Sequence, residues 1–280
     1  MVLATEQVRT FETSGFVVLD SLFTAPELEA LRKEADQLLE LLVNSSLANQ
    51  RKSGRLDIRV LSDGRHVVRK IQPLVDLSLL FTRVTQDLRL IEPVSQLLGA
   101  SADLMEDKLN YKQCVPPVMA DFELPLADDR FLRHNDWAYH RAQGYSPSLI
   151  NAALCIDDCP RESGPLHVWP GTHSRHIEHE QVGRSYEVPL PNLPVPEGID
   201  VIAGAGSLIL FHALLVHCSR PNTSGRPRRM AIFSYHRSDD PVFSDARNGP
   251  MRLREAPYEW QYVRAKTTGE FRDLFIAPRD

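Results

Sequence analysis

Between about residues 101 and 240 the chain breaks into short β-forming pieces, and this texture restricts its fold more than any other feature. LINAALCI, GPLHVWP, VIAG, SLILFH and MAIFSYH are separated by Pro, Gly, Asn and Ser, with no long amphipathic helix between them. Short strands at this density predict a mainly antiparallel sandwich or barrel. The preceding hundred residues read as mostly helical. Thr24, Pro26 and Glu27 form a helix start with a capping box, and leucines keep helical spacing to about residue 43. Residues 44 to 66 are polar and turn-rich, a loop or weak hairpin. A second helical stretch, LLFTRVTQDLRLIEPVSQLLGA, is expected to break near Pro93 and end at Gly99. The expected organisation is a single domain over 1–280, with helical support over 1–100, a β core over 101–240 and a C-terminal extension over 241–280.

With 42% hydrophobic and 25% charged residues and a net charge of −5, the chain has an ordinary globular composition and nothing basic enough for a nucleic-acid backbone. Its longest apolar runs, such as LILFHALLV, fall well short of the roughly 20 residues a membrane helix needs. Four scattered cysteines and an opening without a signal pattern lead us to expect a reducing, cytoplasmic setting. Cys155 and Cys159 lack the second pair that a zinc site needs. A monomer or a homodimer is equally compatible with the sequence.

The segment RHNDWAYHR, 133 to 141, holds the strongest chemical signal. If FLRHND is extended, His134 and Asp136 point to one face about 7 Å apart and can converge on one ion. On a helix they would lie about 200° apart. His140, about 20 Å further along a continuing strand, could not share that ion.

A third ligand must come from elsewhere, and His217 is the candidate. The stretch LLVHCSRPNTSGRPRRMAIFSYH reads as strand, turn, strand. A hairpin centred between Asn222 and Thr223 sets His217 opposite Arg228, so that His217, Ser219 and Arg228 share a face and Arg229 points away. A one-residue slip reverses the choice between the two arginines. Two histidines and a carboxylate form the facial triad of non-haem Fe(II) oxygenases. An arginine fork with a serine hydroxyl beside it suits a carboxylate, which suggests a keto-acid co-substrate.

Taken together, FETSGFVVLDSLFTAPELEALR, RHNDWAY, ESGPLHVWPGTHS and HCSRPNTSGRPR resemble the phytanoyl-CoA dioxygenase family of Fe(II)- and 2-oxoglutarate-dependent oxygenases. The resemblance implies a double-stranded β-helix, the jelly roll of cupin-like proteins. It places iron on His134, Asp136 and His217, the 2-oxoglutarate clamp on Arg228 and Ser219, and further co-substrate contacts on Asn110 and, secondarily, Lys112. It also implies consumption of O2, release of succinate and CO2, and oxidation of a C–H bond by hydroxylation or oxidative cyclisation. A small molecule in natural-product biosynthesis is the expected substrate. An acyl-CoA is not expected, because no basic cluster for its phosphates stands out in the sequence.

Trp137, Tyr139, His140 and Arg141 directly follow the ligand strand and are expected to line the substrate mouth. The loop ADFELPLADDRF brings Asp128 and Asp129 near it in sequence, and an acidic lid there would favour a cationic or polyhydroxylated substrate. His173, His176 and His179 read as a solvated tract rather than a second metal face. Two other functions fit a jelly roll: a metal-dependent isomerase or lyase without 2-oxoglutarate, and a non-catalytic ligand-binding domain. A buried arginine clamp near the metal would discriminate against the first, and an intact ligand triad against the second.

Overall fold

The computed structural model describes residues 2–194, 197–241 and 257–279. The chain opens with α1 (Thr5–Ser14), β1 (Phe16–Leu19) and α2 (Ala25–Ala48). The capping box at the start of α2 is present: Glu27 accepts from the Thr24 amide at 2.8 Å and from its hydroxyl at 2.7 Å. The helix runs past residue 43 because its polar end is not solvated. Asn44, Ser45 and Ser46 are buried; the two serines return their hydroxyls to the Leu42 carbonyl, while Asn44 reaches the backbone of Phe275.

The turn-rich stretch that follows holds a true hairpin, β2 (Leu56–Val60) and β3 (His66–Ile71), which extends the main sheet. The second helical region is split into α3 (Leu79–Val84) and α4 (Leu88–Leu98). The break falls before Pro93, where the Asp87 carboxylate caps the Arg89 amide at 2.9 Å. Pro93 lies inside α4, which ends at left-handed Gly99 as expected.

After this come β4 (Ala102–Val115), β5 (Phe131–His134), the single turn α5 (Trp137–His140), β6 (Ile150–Cys155), β7 (Leu166–Val168), β8 (Glu180–Val182) and β9 (Ser185–Glu187). The last elements are β10 (Ile199–Val201), β11 (Leu208–His212), β12 (His217–Ser219), β13 (Met230–Arg237) and α6 (Pro257–Thr267). A seven-stranded sheet ordered β1-β11-β6-β13-β4-β3-β2 faces a four-stranded sheet ordered β10-β7-β12-β5, and β8 and β9 form a separate hairpin. The ladders are antiparallel, and the mainly β, jelly-roll reading holds.

Alternation along the central strands divides the core. Ala152, Leu154, Leu208, Leu210, Ala231 and Phe233 pack under the helices. Their neighbours Ala153, Cys155, Ile209, Phe211, Met230 and Ile232 fill the space between the sheets with Leu166 and Val168. Both faces of the large sheet are therefore buried, so its strands read as continuous apolar runs rather than alternating ones. No helix among the described residues is long and apolar enough to cross a membrane. Part of the expected C-terminal extension lies outside the described residues.

The expected hairpin between His217 and Arg228 does not form. β12 pairs with β5 and β7 in the small sheet, whereas β13 pairs with β4 and β6 in the large one. The segment between them is an arch from one sheet to the other.

Candidate metal centre and its cavity

β5 and β12 lie side by side with His134 directly opposite His217. Their rings approach to 4.4 Å between centroids. Asp136 follows β5 at the entry to α5, and its carboxylate stands 3.6 Å from His134 Nε2 and 3.7 Å from His217 Nε2. The three ligand atoms fall within 4.8 Å of one another, the one such group among the described residues.

The supporting contacts orient these donors. Nδ1 of His134 bonds the Leu132 carbonyl at 2.6 Å, and Nδ1 of His217 bonds the Leu215 carbonyl at 2.9 Å. Each Nδ1 therefore carries the proton, and each Nε2 lone pair is left for a metal. Asn151 donates to Asp136 Oδ2 at 2.9 Å and is itself held by Ser234 at 2.5 Å. Burial would raise the Asp136 carboxyl, but Lys108, His217 and His134 outweigh it and hold it well below the usual carboxylate range. Desolvation pushes His217 down to about 4, against the pull of Asp136, so it is neutral at pH 7. Neutral imidazoles and an ionised carboxylate are the protonation states that bind a divalent metal.

The triad opens on a cavity of about 360 Å³. Arg228, Ser219 and Asn110 line it with His217. Arg228 is 2% exposed and has no carboxylate partner among the described residues; its Nη2 donates to the Gly164 carbonyl at 2.7 Å. Its Nε, the Ser219 hydroxyl and Asn110 Oδ1 are all buried without a hydrogen-bond partner. The unsatisfied donors of Arg228 and Ser219 beside a metal triad fit a ligand that carries a carboxylate, whereas Asn110 Oδ1 is an acceptor and calls for a donor. Arg229, equally buried, faces the other way and is bound by Asp157 at 2.8 Å and Asp36 at 3.2 Å. The expected separation of the two arginines is present, although the hairpin it was argued from is not.

Lys112 does not join Asn110. The backbone leaves strand geometry at Lys112, with φ +45°, and the ammonium turns to the Arg220 carbonyl on a neighbouring cavity. The helical turn α5 likewise divides the residues after Asp136. Tyr139 and His140 line the cavity. Trp137 packs instead with Met105, Tyr145, Leu149 and Ala213, and its indole donates to the Tyr145 carbonyl at 2.9 Å. Arg141 points outward to His176 and Glu178. A helix separates residues by about 100° rather than 180°, so 139 and 140 fall on the Asp136 face while 137 and 141 share another.

The acidic lid is also misplaced. Asp128 is chelated by Arg130, and Asp129 accepts from the Asn222 amide at 3.2 Å; both face the second cavity. Arg69 and Lys70 of β3, Gln72 just after it, and Glu106 and Lys108 of β4 line the site instead, with Arg184 from the β8–β9 turn. Glu106, Lys108 and Asn110 stand at i, i+2 and i+4 of one strand, a polar face in an otherwise buried element that could have been read from the sequence. Within the histidine tract, His179 accepts from the Asn135 amide at 3.0 Å and so braces the loop that carries Asp136.

The phytanoyl-CoA dioxygenase (PhyH) family model matches residues 11–230. The ectoine dioxygenase of Halomonas elongata is 28% identical over 92% of this chain and 78% of its own. Among solved structures, EctD from S. alaskensis with bound Fe superposes with TM-score 0.67 at 21% identity, covering 91% of this chain and 89% of that one. The epimerase SnoN in complex with Fe3+, alpha ketoglutarate and nogalamycin RO superposes with TM-score 0.66 at 18% identity, over 90% and 89% of the two chains. With its family match spanning most of the chain and its buried His-Asp-His group at the mouth of a jelly roll, the chain belongs to the phytanoyl-CoA dioxygenase family.

Proposed function

We propose that this protein is an Fe(II)- and 2-oxoglutarate-dependent oxygenase that oxidises a C–H bond of a small molecule, with release of succinate and CO2. The observation that carries this reading is the pair of unpartnered donors on Arg228 and Ser219 in the cavity that His134, Asp136 and His217 open on. His134, Asp136 and His217 hold the metal. Arg228 and Ser219 take the distal carboxylate of 2-oxoglutarate, and Asn110 contributes a further contact from β4. Iron, co-substrate and O2 supply the oxidising power, while the protein binds, orients and excludes water. Tyr139 and His140 form part of the substrate wall.

The relatives fit a small substrate: one is an ectoine dioxygenase, and a structural neighbour is an epimerase bound to nogalamycin RO. Hydroxylation and oxidative cyclisation, in natural-product biosynthesis, remain the outcomes we assign to this class of site. The chain is taken as one oxygenase unit, the N-terminal helices bracing the large sheet. An isomerase or lyase would have no use for a buried, carboxylate-free arginine beside the metal.

Anaerobic addition of Fe(II) and 2-oxoglutarate should give a weak visible charge-transfer band, and slow succinate formation should follow in air. Absence of both with the purified protein would overturn the proposal.

A further inference from the structure

A second cavity, of about 720 Å³, lies against the arch that joins β12 to β13, and no residue lines both it and the metal cavity. Its volume is that of an ordinary small-ligand pocket. Leu61, Val67, Pro221, Pro227 and Pro278 give it apolar walls, and Lys112 and Arg226 stand among them.

Lys112 reaches this cavity only through a break in its strand. Glu106, Lys108 and Asn110 alternate along β4 toward the metal cavity, and the same period would carry Lys112 after them. Its backbone turns instead to φ +45°, a left-handed conformation that costs a lysine about 1–3 kcal/mol and persists only where the surroundings enforce it. Here they do. The Asn222 side chain donates to the Lys112 carbonyl at 2.8 Å, and the Lys112 ammonium donates to the Arg220 carbonyl. Strain held in this way points to a function for the place the side chain reaches.

Charge at that place is incomplete. Lys112 is 1% exposed and has no carboxylate in ion-pair range among the described residues, and neither has Arg226 at the exposed rim. The carboxylates of the cavity are engaged elsewhere. Asp63 is held by Arg65 at 2.8 Å and Asp128 by Arg130 at 2.8 Å, while Asp129 turns both oxygens to the Asn222 amide, at 3.2 and 3.3 Å. Lys112 and Arg226 therefore outnumber Asp129, the one acid there without a cation. Burial holds the Lys112 amine well below its ordinary pKa, and Arg228 adds to this against the pull of Asp129. One carbonyl also leaves two of its three ammonium donors unused. An oxyanion beside Lys112 would accept from them and favour the charged form that burial opposes.

We infer that the second cavity binds a small organic carboxylate, anchored on Lys112 with Arg226 as a second cation and its apolar body against the proline walls. The occupant is not the substrate, because the metal ligands open on the other cavity. It is an effector whose site shares the arch with the Arg228 clamp. The inference stands apart from the oxygenase reading.

The test titrates sodium benzoate and its neutral analogue benzamide calorimetrically into the wild type, Lys112→Met and Arg226→Met, each with and without Ni(II) and 2-oxoglutarate. Benzoate should bind the wild type saturably in both states, and benzamide about tenfold more weakly or less. Lys112→Met should weaken benzoate by about tenfold or more, and Arg226→Met by about two- to fivefold. Arg226 bonds its neighbours through the backbone alone, so Arg226→Met should fold as the wild type does and keep its 2-oxoglutarate affinity. That variant and the benzamide comparison carry the test if Lys112→Met does not fold.

No saturable binding of benzoate, benzamide binding as tightly, or benzoate binding unchanged in either folded variant would overturn the inference. Displacement of benzoate by Ni(II) and 2-oxoglutarate would also overturn it, by placing benzoate in the metal cavity.

Discussion

Arg228 and Arg229 are adjacent, equally buried and chemically identical, yet the structure gives them opposite tasks, and exchanging each for Met separates the tasks. Arg229 binds Asp157 through its amide, Nε and Nη2, and Asp36 through Nη1. Asp36 belongs to α2, so the guanidinium ties the helical layer to the sheet. Arg229→Met removes the cation shared by two buried carboxylates, leaving Asp157 with Arg32 at 3.0 Å and Asp36 with the Tyr111 hydroxyl at 3.1 Å, at a cost of about 3–5 kcal/mol. For a chain of this size that corresponds to a fall in Tm of roughly 6–20 °C. Arg228 has no such partner; Arg228→Met loses its bond to Gly164, about 1 kcal/mol, and removes an uncompensated buried cation. Its Tm should stay within a few degrees of wild type. Its 2-oxoglutarate affinity should fall by about 2–5 kcal/mol, roughly 30-fold to several thousand-fold in Kd. Differential scanning calorimetry and anaerobic titration of the Fe(II) protein with 2-oxoglutarate read the two quantities independently. Equal loss of Tm in both variants with co-substrate binding intact in Arg228→Met would refute the assignment.

Asn151→Ala removes the donor that orients Asp136, and Fe(II) affinity should drop by about 10- to 100-fold; an unchanged Kd in a metal titration would make Asn151 mere core. Gly164 presents its carbonyl to Arg228 at φ +64°, and a Cβ there would meet the Arg220 carbonyl oxygen at 2.2 Å. Gly164→Ala should therefore cost about 1–3 kcal/mol in stability and raise KM for 2-oxoglutarate, both measurable on one preparation. Burial, with His173 alongside, pushes His212 down to about 4. Above about pH 6.5 neither state is charged; as pH falls from there to 4 the unfolded chain takes the proton first, and up to about 3 kcal/mol of stability is lost. In His212→Gln the decline of the urea midpoint over this window should be shallower, and parallel curves would remove His212 as the cause.

The candidate metal ligands were legible because their geometry is local or pairwise. His134 and Asp136 lie two apart at the end of a strand, and His217 ends a run of apolar residues. What failed was inference across turns. The Pro- and Gly-containing stretch from 220 to 228 looks the same whether it closes a hairpin or arches between sheets, because composition fixes the bend and not the partner. The opposite facing of Arg228 and Arg229 was legible even so, because adjacent residues of an extended chain face opposite ways in either topology. α5 defeated the reading of Trp137 and Arg141 by changing the period within one residue of a ligand. Arg69 and Lys70 were missed because β3 begins where the turn-rich stretch ends, and six residues between a loop and a helix carry too short a pattern to name a face.

Two sheets contribute unequally to the site, and this explains why its parts differ in how they could be read. The metal ligands cluster on the small sheet, at β5, β12 and the turn after β5, so they depend on a single strand pair. Arg228 lies in the arch two residues before β13, and Asn110, Lys108 and Glu106 project from β4 in the large sheet. Ser219 stays on β12, two residues from His217, so the proposed co-substrate contacts are divided between the two sheets and the arch, and their spacing follows the separation of packed sheets, about 10 Å in general. Here it is set by the side chains wedged between them, among them Phe211, whose ring stands edge-on to His217 at 5.0 Å. A co-substrate that reaches from the metal to Arg228 bridges the two layers. Its fit depends on the apolar core beneath as much as on the polar atoms that touch it, and no local motif in the sequence records that spacing.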